Sequence, residues 1–492
     1  MSNYKYKSYK YKSDHKHMGG GCKSAGYKSV EDTRKYKNQK YIKPIVRLIA
    51  ITKGVKDEKF GPEFGPDELS AFGALACFKN ETTTQLFKQY KHIPEMLKKK
   101  KESVIKKSFG IGHGSVGDQN AFVFEIEGIP RAATLQLCLM PYLAHLQQSL
   151  RRAKAAAYVL PEEIAESKMC EKTMRVLDCA FKLYEEMVCD GIPCEDARYV
   201  LPLYTRTNIQ TLGNARELTH LLAMSERYGV PSVVKDIVRN MVKKASRIAP
   251  CLFNYASKET LAWYPAAQLY ARKNETMKRV IERARYPEKT VFVSFLPPAE
   301  TIIEAVKKRD EAELANLKHI HNGSAIEGFL VPMSLAAFHQ AIRQRTWDHS
   351  VESIYAAVKR AKFVTPPTIK RSGYQKRYEE QTRAMLTLYK KLIQHGISED
   401  EAIGVIPHSI VIYDLIHING WNSIHSIGKR TCTAAQWEIR SIANDIASTI
   451  KKKNKALAPV IAPQGEVYGK CPESKPCGLC KLPEQRMENL KR

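Results

Sequence analysis

The sequence predicts an α+β protein in which two copies of one fold are fused end to end. Four landmarks recur in the same order: an Ala-Ala pair before a Gln, a run that ends in Pro, a Gly-Ile loop, and a Pro that precedes an Asn. Ala132 and Ala336 are 204 residues apart, whereas the later Pro202 and Pro407 are 205 apart. A repeat this long indicates two domain-sized copies rather than a solenoid. Strands followed by longer helices within each copy favour the α+β class.

The predicted elements follow one order in both copies, which we place at residues 41–290 and 291–455. In the first copy, apolar residues predict a strand at 122–126, which Ile129 and Pro130 should end, before a helix at 132–139. Apolar residues at helical spacing then predict long amphipathic helices at 171–190, 212–225, 374–395 and 434–450.

The two ends of the chain differ in composition from the copies. Residues 1–40 alternate Lys, Tyr and Ser with almost no aliphatic residue, so they should form a disordered basic tail. The last segment, 456–492, carries Cys471, Cys477 and Cys480. The final two are spaced as half of a zinc knuckle, and Cys22 is a possible fourth ligand. The alternative is an unstructured tail of reduced cysteines.

The 492-residue chain has a formal net charge of +28, much of it in lysine runs. Such runs are typical of solvated surfaces, but they would also attract nucleic acid or phosphorylated metabolites. The sequence lacks an apolar run of about 18 residues, so we expect no membrane span. The N-terminus lacks the apolar segment of a secretory signal. We therefore expect a cytoplasmic protein with mostly reduced cysteines.

Motifs of polar residues stand at corresponding places in the two copies. The first copy contains Gln147, Ser149 and Arg151 in one loop, then Arg198 in a Glu-Asp-Ala-Arg-Tyr-Val-Leu-Pro string, then Asn214 and Arg216. The second copy contains Gln340, Arg343, Gln344 and Arg345 in one stretch, then Arg430 before an Ala-Gln-Trp-Glu-Ile-Arg string.

Each copy has lost the arginines that the other copy keeps. At the positions of Arg343, Arg345 and Arg430, the first copy has Leu139, Pro141 and Ser225. At the positions of Arg151 and Arg198, the second copy has Tyr355 and Ile403. Random decay would remove residues without regard to which copy holds the partner group. The complementary pattern therefore indicates a site to which both copies contribute.

In this order, the motifs resemble those of the flavin-dependent thymidylate synthases, over roughly residues 110–235 and 320–450. That family is marked by an Arg-His-Arg motif, an Asp-Ala-Arg-x-x-Leu-Pro loop, Asn-x-Arg, and an Arg followed by Ala-Gln-Trp-Glu-Ile. The resemblance implies an FAD cofactor, with NADPH and methylenetetrahydrofolate as co-substrates. This chain departs from the family where Gln344 replaces the central His and where Asp118 replaces a Glu.

The resemblance also implies roles for individual residues. Those implied for dUMP binding are Gln340, Arg343, Gln147, Ser149, Arg151 and Arg198. Those implied for the flavin are Arg343, Gln344, Arg345, Asn214, Arg216, His220 and Ser115. Arg430 is the implied catalytic residue, because fixed positive charge beside the uracil ring favours its ionisation at N3. Taken singly, Arg198 could simply pair with Glu195, and Asn214 could be a turn residue.

The physical chemistry of a nucleotide monophosphate explains the expected composite site. Arginine binds phosphate bidentately, and each charge-assisted hydrogen bond contributes about 1.5–3 kcal/mol. A site with Leu or Ile at these positions would lose several such bonds, so we expect the reciprocal site to be inactive. Because enzymes of this family build their sites between subunits of a tetramer, a homodimer of fused chains would imitate that tetramer.

Our main hypothesis is therefore flavin-dependent C5 methylation of dUMP to dTMP. One alternative keeps FAD but hydroxymethylates a pyrimidine nucleotide. Another is a non-catalytic nucleic-acid-binding protein on a decayed synthase scaffold, which the positive charge and the two tails would favour.

Overall fold

The computed structural model describes residues 44–55, 64–111, 113–227, 229–255, 267–292, 327–342, 344, 347–418, 426–453, 458, 461–467 and 477–480. The predicted disordered tail at 1–40 lies outside these residues. So do Cys22, Arg343, Arg345 and Cys471.

The first copy begins with a strand and three helices and continues as alternating strands and helices. Its elements are β1 (Ile45–Ile51), α1 (Pro66–Ala76), α2 (Thr83–Tyr90), α3 (Pro94–Lys107), β2 (Phe122–Pro130), α4 (Arg131–Leu139), β3 (Ala144–Gln147), α5 (Glu162–Ala165), α6 (Cys170–Cys189), α7 (Cys194–Ala197), β4 (Arg206–Gly213), α8 (Ala215–Ser225), α9 (Ser232–Ile248) and α10 (Pro250–Tyr255).

The second part of the chain contains four strands in the same order as the first, with several of the corresponding helices between them. Its elements are α11 (Glu275–Arg283), β5 (Val291–Phe292), β6 (Glu327–Ser334), α12 (Leu335–Ala341), β7 (Asp348–Val351), α13 (Ile354–Arg360), α14 (Pro367–Lys370), α15 (Gln375–Gln394), α16 (Glu399–Ala402), β8 (Val411–Ile418), α17 (Trp437–Lys453) and α18 (Gln464–Val467).

Two antiparallel sheets with the same topology confirm the mixed α and β class. The first sheet has the order β1-β2-β4-β3 and the second the order β5-β6-β8-β7. The helices α6 and α15 are each 20 residues long and begin 205 residues apart. Both lie close to their predicted bounds, because their apolar residues recur at helical spacing and face the core.

One local prediction was wrong: β2 does not stop before Ile129 and Pro130 but includes both residues. Its last residue, Pro130, lies opposite Arg206 in β4. The ladder shifts between Ile126 and Ile129, where Gly128 has a φ of 70° that suits glycine. The bulge at Gly128 accommodates the shift in register. Pro130 stands at the last position of the strand, so its missing N–H removes no hydrogen bond from the interior of the ladder.

A single apolar core extends through both copies, which meet along the loops that carry their Leu-Pro and Ile-Pro landmarks. Leu203 N donates to Ile406 O at 2.8 Å, and His408 N donates to Leu201 O at 2.9 Å. Pro202 and Pro407 form the antiparallel bridge between these loops. This pairing brings the residues that follow Arg198 directly against the second copy.

The outer faces of the two sheets differ. Met277, Val280 and Ile281 of α11 pack with Leu330, Tyr413 and Leu415 of the second sheet. The first sheet instead leaves both polar and apolar side chains exposed, among them Ile49 and Leu146. Its Arg47 pairs with Glu125 at 3.3 Å. The helix α11, which the sequence assigned to the first copy, thus packs on the second. Among the described helices, none is both long enough and apolar enough to cross a bilayer.

Candidate active site

The first-copy arginines lie on two adjacent loops. Arg151 Nε contacts Glu195 Oε2 at 2.6 Å, and both side chains are about one-third exposed. Arg198 follows α7 in a 3₁₀ turn and is only 6% exposed. Its Nε donates to the backbone carbonyl of Glu195 at 3.1 Å. Glu195 therefore links the two guanidinium groups, and Ser149 is adjacent because its Oγ accepts from Arg151 N at 3.2 Å.

The second-copy candidates cluster around Arg430. Its Nη2 donates to the carbonyl of Gln340 at 3.3 Å. With the Gln344 amide oriented to satisfy both of its polar atoms, the amide oxygen accepts from Arg430 Nη2 at 2.6 Å and from Nε at 3.1 Å. Gln344, which stands in the place of the family's central His, thus orients the guanidinium of Arg430.

The two clusters meet across the interface between the copies. Arg151 Nη2 donates to the carbonyl of Ala434 at 3.4 Å. Gln340 Nε2 donates to Gln436 Oε1 at 3.4 Å, and Gln436 Nε2 donates to Tyr199 Oη at 2.9 Å. Tyr199 is the neighbour of Arg198 in the chain. The segments of Arg151, Arg198, Gln340 and Arg430 therefore border one region within a single chain, which we call the composite site.

Contacts between the two most specific sequence strings hold this interface. Trp437 Nε1 donates to Asp196 Oδ1 at 2.7 Å, and the Trp437 ring stacks with that of Tyr199 at a centroid distance of 6.1 Å. Glu438 accepts from Ser334 N at 2.8 Å and from Tyr199 Oη at 2.5 Å. Asp196, Tyr199 and Glu438 were not singled out from the sequence, although all three lie inside the quoted strings.

Burial sets the electrostatics of the composite site. Burial lowers the pKa of Arg198, and Arg151 lowers it further, while Tyr199, Glu195 and Asp196 oppose this. Burial also raises the pKa of Asp196 and of Glu438, and hydrogen bonds counteract both shifts. A buried guanidinium beside a second one attracts an anion more strongly than exposed arginines do.

The first-copy flavin candidates form a second cluster at the start of α8. Asn214 caps this helix by accepting from Glu217 N at 2.8 Å, and its Nδ2 donates to Asp118 Oδ1 at 3.1 Å. Arg216 Nη1 pairs with Asp118 Oδ2 at 2.9 Å. Ser115 is exposed on the turn Gly114–Gln119, and His220 is buried in α8.

The residues of this cluster fit a flavin nucleotide in part. A guanidinium, an amide and a hydroxyl are suitable donors for its diphosphate and ribityl groups. A Cβ at Gly114 would lie 2.8 Å from Arg216 Nε, so the glycine permits the close approach of the turn. Arg343 and Arg345, which the resemblance also assigns to the flavin, lie outside the described residues.

At the reciprocal site, defined by Tyr355 and Ile403, an arginine of the chain itself covers the Tyr355 ring. Arg272 lies over the Tyr355 ring at 4.4 Å from its centroid and pairs with Glu399 and Asp400. Tyr270 is buried beside it and donates to the carbonyl of Ala132 at 2.7 Å. A cavity of about 270 Å³ lies next to this segment and is lined partly by Arg272 and other charged residues.

The cysteine tail lies near the composite site but gives no support for zinc. Cys477 is exposed, and its Sγ is 3.2 Å from Thr433 Oγ1, in the loop that follows Arg430. Among the described residues, no three His, Cys, Asp or Glu side chains come together as metal ligands would. Cys480 is described, whereas Cys471 is not.

Comparison with known proteins identifies the family. The family described as thymidylate synthase complementing protein, Thy1, matches residues 63–251 and 254–455. The flavin-dependent thymidylate synthase of Geobacter sulfurreducens is 33% identical over 158 residues, covering 30% of this chain and 67% of that protein. That of Pyrococcus horikoshii is 32% identical over 265 residues, covering 51% of this chain and 93% of that protein.

One solved structure to which this chain is similar is that of a UMP/dUMP methylase PolB from Streptomyces cacaoi bound with 5-Br dUMP. The match covers 44% of this chain and 95% of that chain at 17% identity, with a TM-score of 0.34. The family match covers most of this chain in two successive segments. The chain therefore belongs to the Thy1 family.

Proposed function

We propose that this protein is an FAD-dependent thymidylate synthase that methylates dUMP at the composite site. The observation that carries the proposal is the contact between the segments of Arg151 and Arg198 in the first copy and the segments of Gln340 and Arg430 in the second. The hydrogen bond from Arg151 to Ala434 and the path from Gln340 through Gln436 to Tyr199 span this interface. Neither copy alone supplies both halves.

In the proposed mechanism, the first copy holds the nucleotide. Arg151 and Arg198 bind the phosphate dianion, because paired guanidinium groups match its charge and geometry. Ser149 lies beside Arg151 on the same loop. Gln147 Nε2 donates to Thr134 Oγ1 at 2.7 Å, which leaves its amide oxygen to accept from the base.

The second copy activates the base in this mechanism. The guanidinium of Arg430, oriented by Gln340 and Gln344, places positive charge beside the uracil ring. That charge favours ionisation at N3, so C5 becomes nucleophilic without an attacking cysteine. When bound, the reduced flavin supplies a hydride, and methylenetetrahydrofolate supplies the carbon. Asn214 and Arg216 would hold the flavin, and NADPH would reduce it.

The main test exchanges single residues between corresponding positions of the two copies. Arg198→Ile and Arg430→Ser introduce the residues that the other copy has at these places, Ile403 and Ser225. We expect each to weaken dUMP binding by at least about tenfold, since each removes charge-assisted hydrogen bonds. Isothermal titration calorimetry with dUMP measures this loss.

Tyr355→Phe is the matched control in the reciprocal site, where the Tyr355 hydroxyl donates to the carbonyl of Gly229. We expect this variant to bind dUMP with unchanged affinity. Equal losses in all three variants would contradict a composite site. Protein that is colourless after purification and does not take up added FAD would contradict the flavin assignment.

Product analysis separates this proposal from its alternatives. The mass of the product distinguishes a methylated from a hydroxymethylated nucleotide. A decayed, nucleic-acid-binding scaffold would retain RNA or DNA in a salt-dependent manner and would show no response to dUMP. Light scattering on the purified protein tests the homodimer that we propose as part of this assembly.

A further inference from the structure

Arg131, which the sequence did not single out, is buried beside the composite site. It is the first residue of α4 and is only 5% exposed. Its Nη2 donates to the carbonyl of Gln148 at 2.6 Å, so it holds the loop that carries Gln147 and Ser149. The second copy has Leu335, fully buried, at the corresponding position. The guanidinium is therefore specific to the copy that is proposed to bind the nucleotide.

The surroundings of Arg131 are positively charged. Arg198 lowers its pKa in the same direction as burial does, to about 9. His408 of the second copy lies near both arginines, and burial together with their charges lowers its pKa to about 3. The acidic groups of this region, Glu195 and Asp196, act on Arg198. The backbone brings these residues together, because Arg131 N donates to Thr205 O at 3.0 Å and His408 N donates to Leu201 O at 2.9 Å, in the segment that follows Arg198. Two buried guanidinium groups therefore lie near a neutral imidazole.

Arg131 and Arg198 each have a hydrogen-bond donor available for a ligand. Arg131 Nε and Arg198 Nη2 are buried without a hydrogen-bond partner among the residues that the structure describes. Unpaired buried donors and uncompensated like charges destabilise a folded protein. A dianion between the two arginines would accept from both donors and reverse the local repulsion.

We propose that Arg131 is a third arginine of the anion site and binds the phosphate of the nucleotide together with Arg198. This inference rests on the proposed function, because it names a further binding residue of the same site. In the ligand-free protein, the buried guanidinium groups of Arg131 and Arg198 repel each other until an anion enters. Arg131→Met should therefore unfold at the same or a higher temperature than the wild type without ligand.

The test compares dUMP with deoxyuridine, which lacks the phosphate, by calorimetry at fixed ionic strength. In Arg131→Met we expect dUMP affinity to fall about tenfold to hundredfold. Deoxyuridine affinity should fall by a clearly smaller factor, because this ligand has no phosphate and can respond only to loss of the hydrogen bond that holds the Gln147 loop. Arg131→Lys, which keeps the charge, should show an intermediate loss of dUMP affinity. An equal fall in affinity for both ligands, or no fall for either, would overturn the proposal.

A control variant and a second anion separate a local effect of Arg131 from a general effect of charge. Arg152→Met removes an exposed arginine from the same loop, and it should leave dUMP affinity within about twofold if the effect is local rather than long-range. Inorganic phosphate should raise the melting temperature of the wild type but not of Arg131→Met. If the wild type bound neither dUMP nor deoxyuridine, the proposed function would fail, and the response to inorganic phosphate would still decide the role of Arg131. If phosphate stabilised the wild type and Arg131→Met equally, Arg131 would not be part of the anion site.

Discussion

The composite site and the reciprocal site are built from corresponding positions, yet they differ in what fills them. Arg151 and Arg198 border the first, whereas Tyr355 and Ile403 border the second. In the reciprocal site, Arg272 lies over Tyr355 and pairs with Asp400, much as Arg151 pairs with Glu195 in the composite site. Arg272 thus places a guanidinium against Tyr355, and Glu399 and Asp400 neutralise its charge.

Contacts that support the fold persist on both sides. Asp196 accepts from Trp437 at the start of α17, and Glu401 accepts from Ser232 N at 2.7 Å at the start of α9. These carboxylates and these helix starts are each 205 residues apart. The two sites therefore differ in their arginines, which were kept on one side only, whereas the carboxylates that join the copies were kept on both.

Removing Glu438 should give the largest loss of stability. Glu438→Ala would leave the buried Ser334 N–H and Tyr199 hydroxyl unpaired, at about 1–3 kcal/mol for each group. We expect a total loss of roughly 3 kcal/mol in the free energy of unfolding, measured by urea denaturation. Val233→Ala, at the corresponding position of α9, should cost less, because it leaves no polar group unpaired. Equal losses would indicate that the polar network contributes little.

Removing Arg272 should destabilise the fold without affecting the nucleotide. Arg272→Ala leaves Glu399 and Asp400 without their guanidinium and exposes the Tyr355 ring. We expect a loss of about 2 kcal/mol, since these ion pairs are partly buried and hydrogen-bonded. Calorimetry should show unchanged dUMP affinity. Weaker dUMP binding in this variant would break the distinction between the two sites.

His408 should make the interface sensitive to acid. Its pKa is lowered to about 3, so it stays neutral in the folded protein, while an unfolded His binds a proton below about pH 6.5. Stability should therefore fall as pH decreases from about 6.5 towards 3, by at most about 1.4 kcal/mol per pH unit. His408→Leu introduces the residue of the first copy, Leu203, and should flatten the pH dependence of the unfolding free energy in this range. An unchanged slope would rule out His408 as its source.

The smallest expected effect concerns Cys477, which stands 205 residues after Arg272. Hydrogen bonds from Thr433 and from the backbone of Leu479 lower the pKa of its thiol. Because the thiolate is the reactive form, Cys477 should be alkylated by iodoacetamide a few-fold faster than the exposed Cys179 on α6. Mass spectrometry of timed samples measures both rates. Equal alkylation rates would show that these hydrogen bonds do not make the Cys477 thiol more reactive than an ordinary exposed thiol.

Several features of the site could be predicted because they depend on residue identity. The complementary arginines and the specific strings are visible in the sequence, and the structure brings Arg151, Arg198, Gln340 and Arg430 to one interface. The sequence did not show that Asn214 and Arg216 form a cluster with Asp118, because spacing along the chain does not tell which loops are neighbours. Arg131 was missed because one arginine at the start of an apolar helix carries no pattern.

The sequence by itself determined the duplication, the α+β class and the long helices, because a repeat and a helical period are properties of the order of residues. Only the tertiary structure decided that α11 packs on the second sheet, that Arg272 lies over Tyr355, and that Trp437 contacts Asp196. These contacts join segments between about 50 and 250 residues apart, and they depend on how whole copies pack together. The local order of residues does not specify how the copies pack. The burial of Arg131 near Arg198 is therefore visible only in the folded chain.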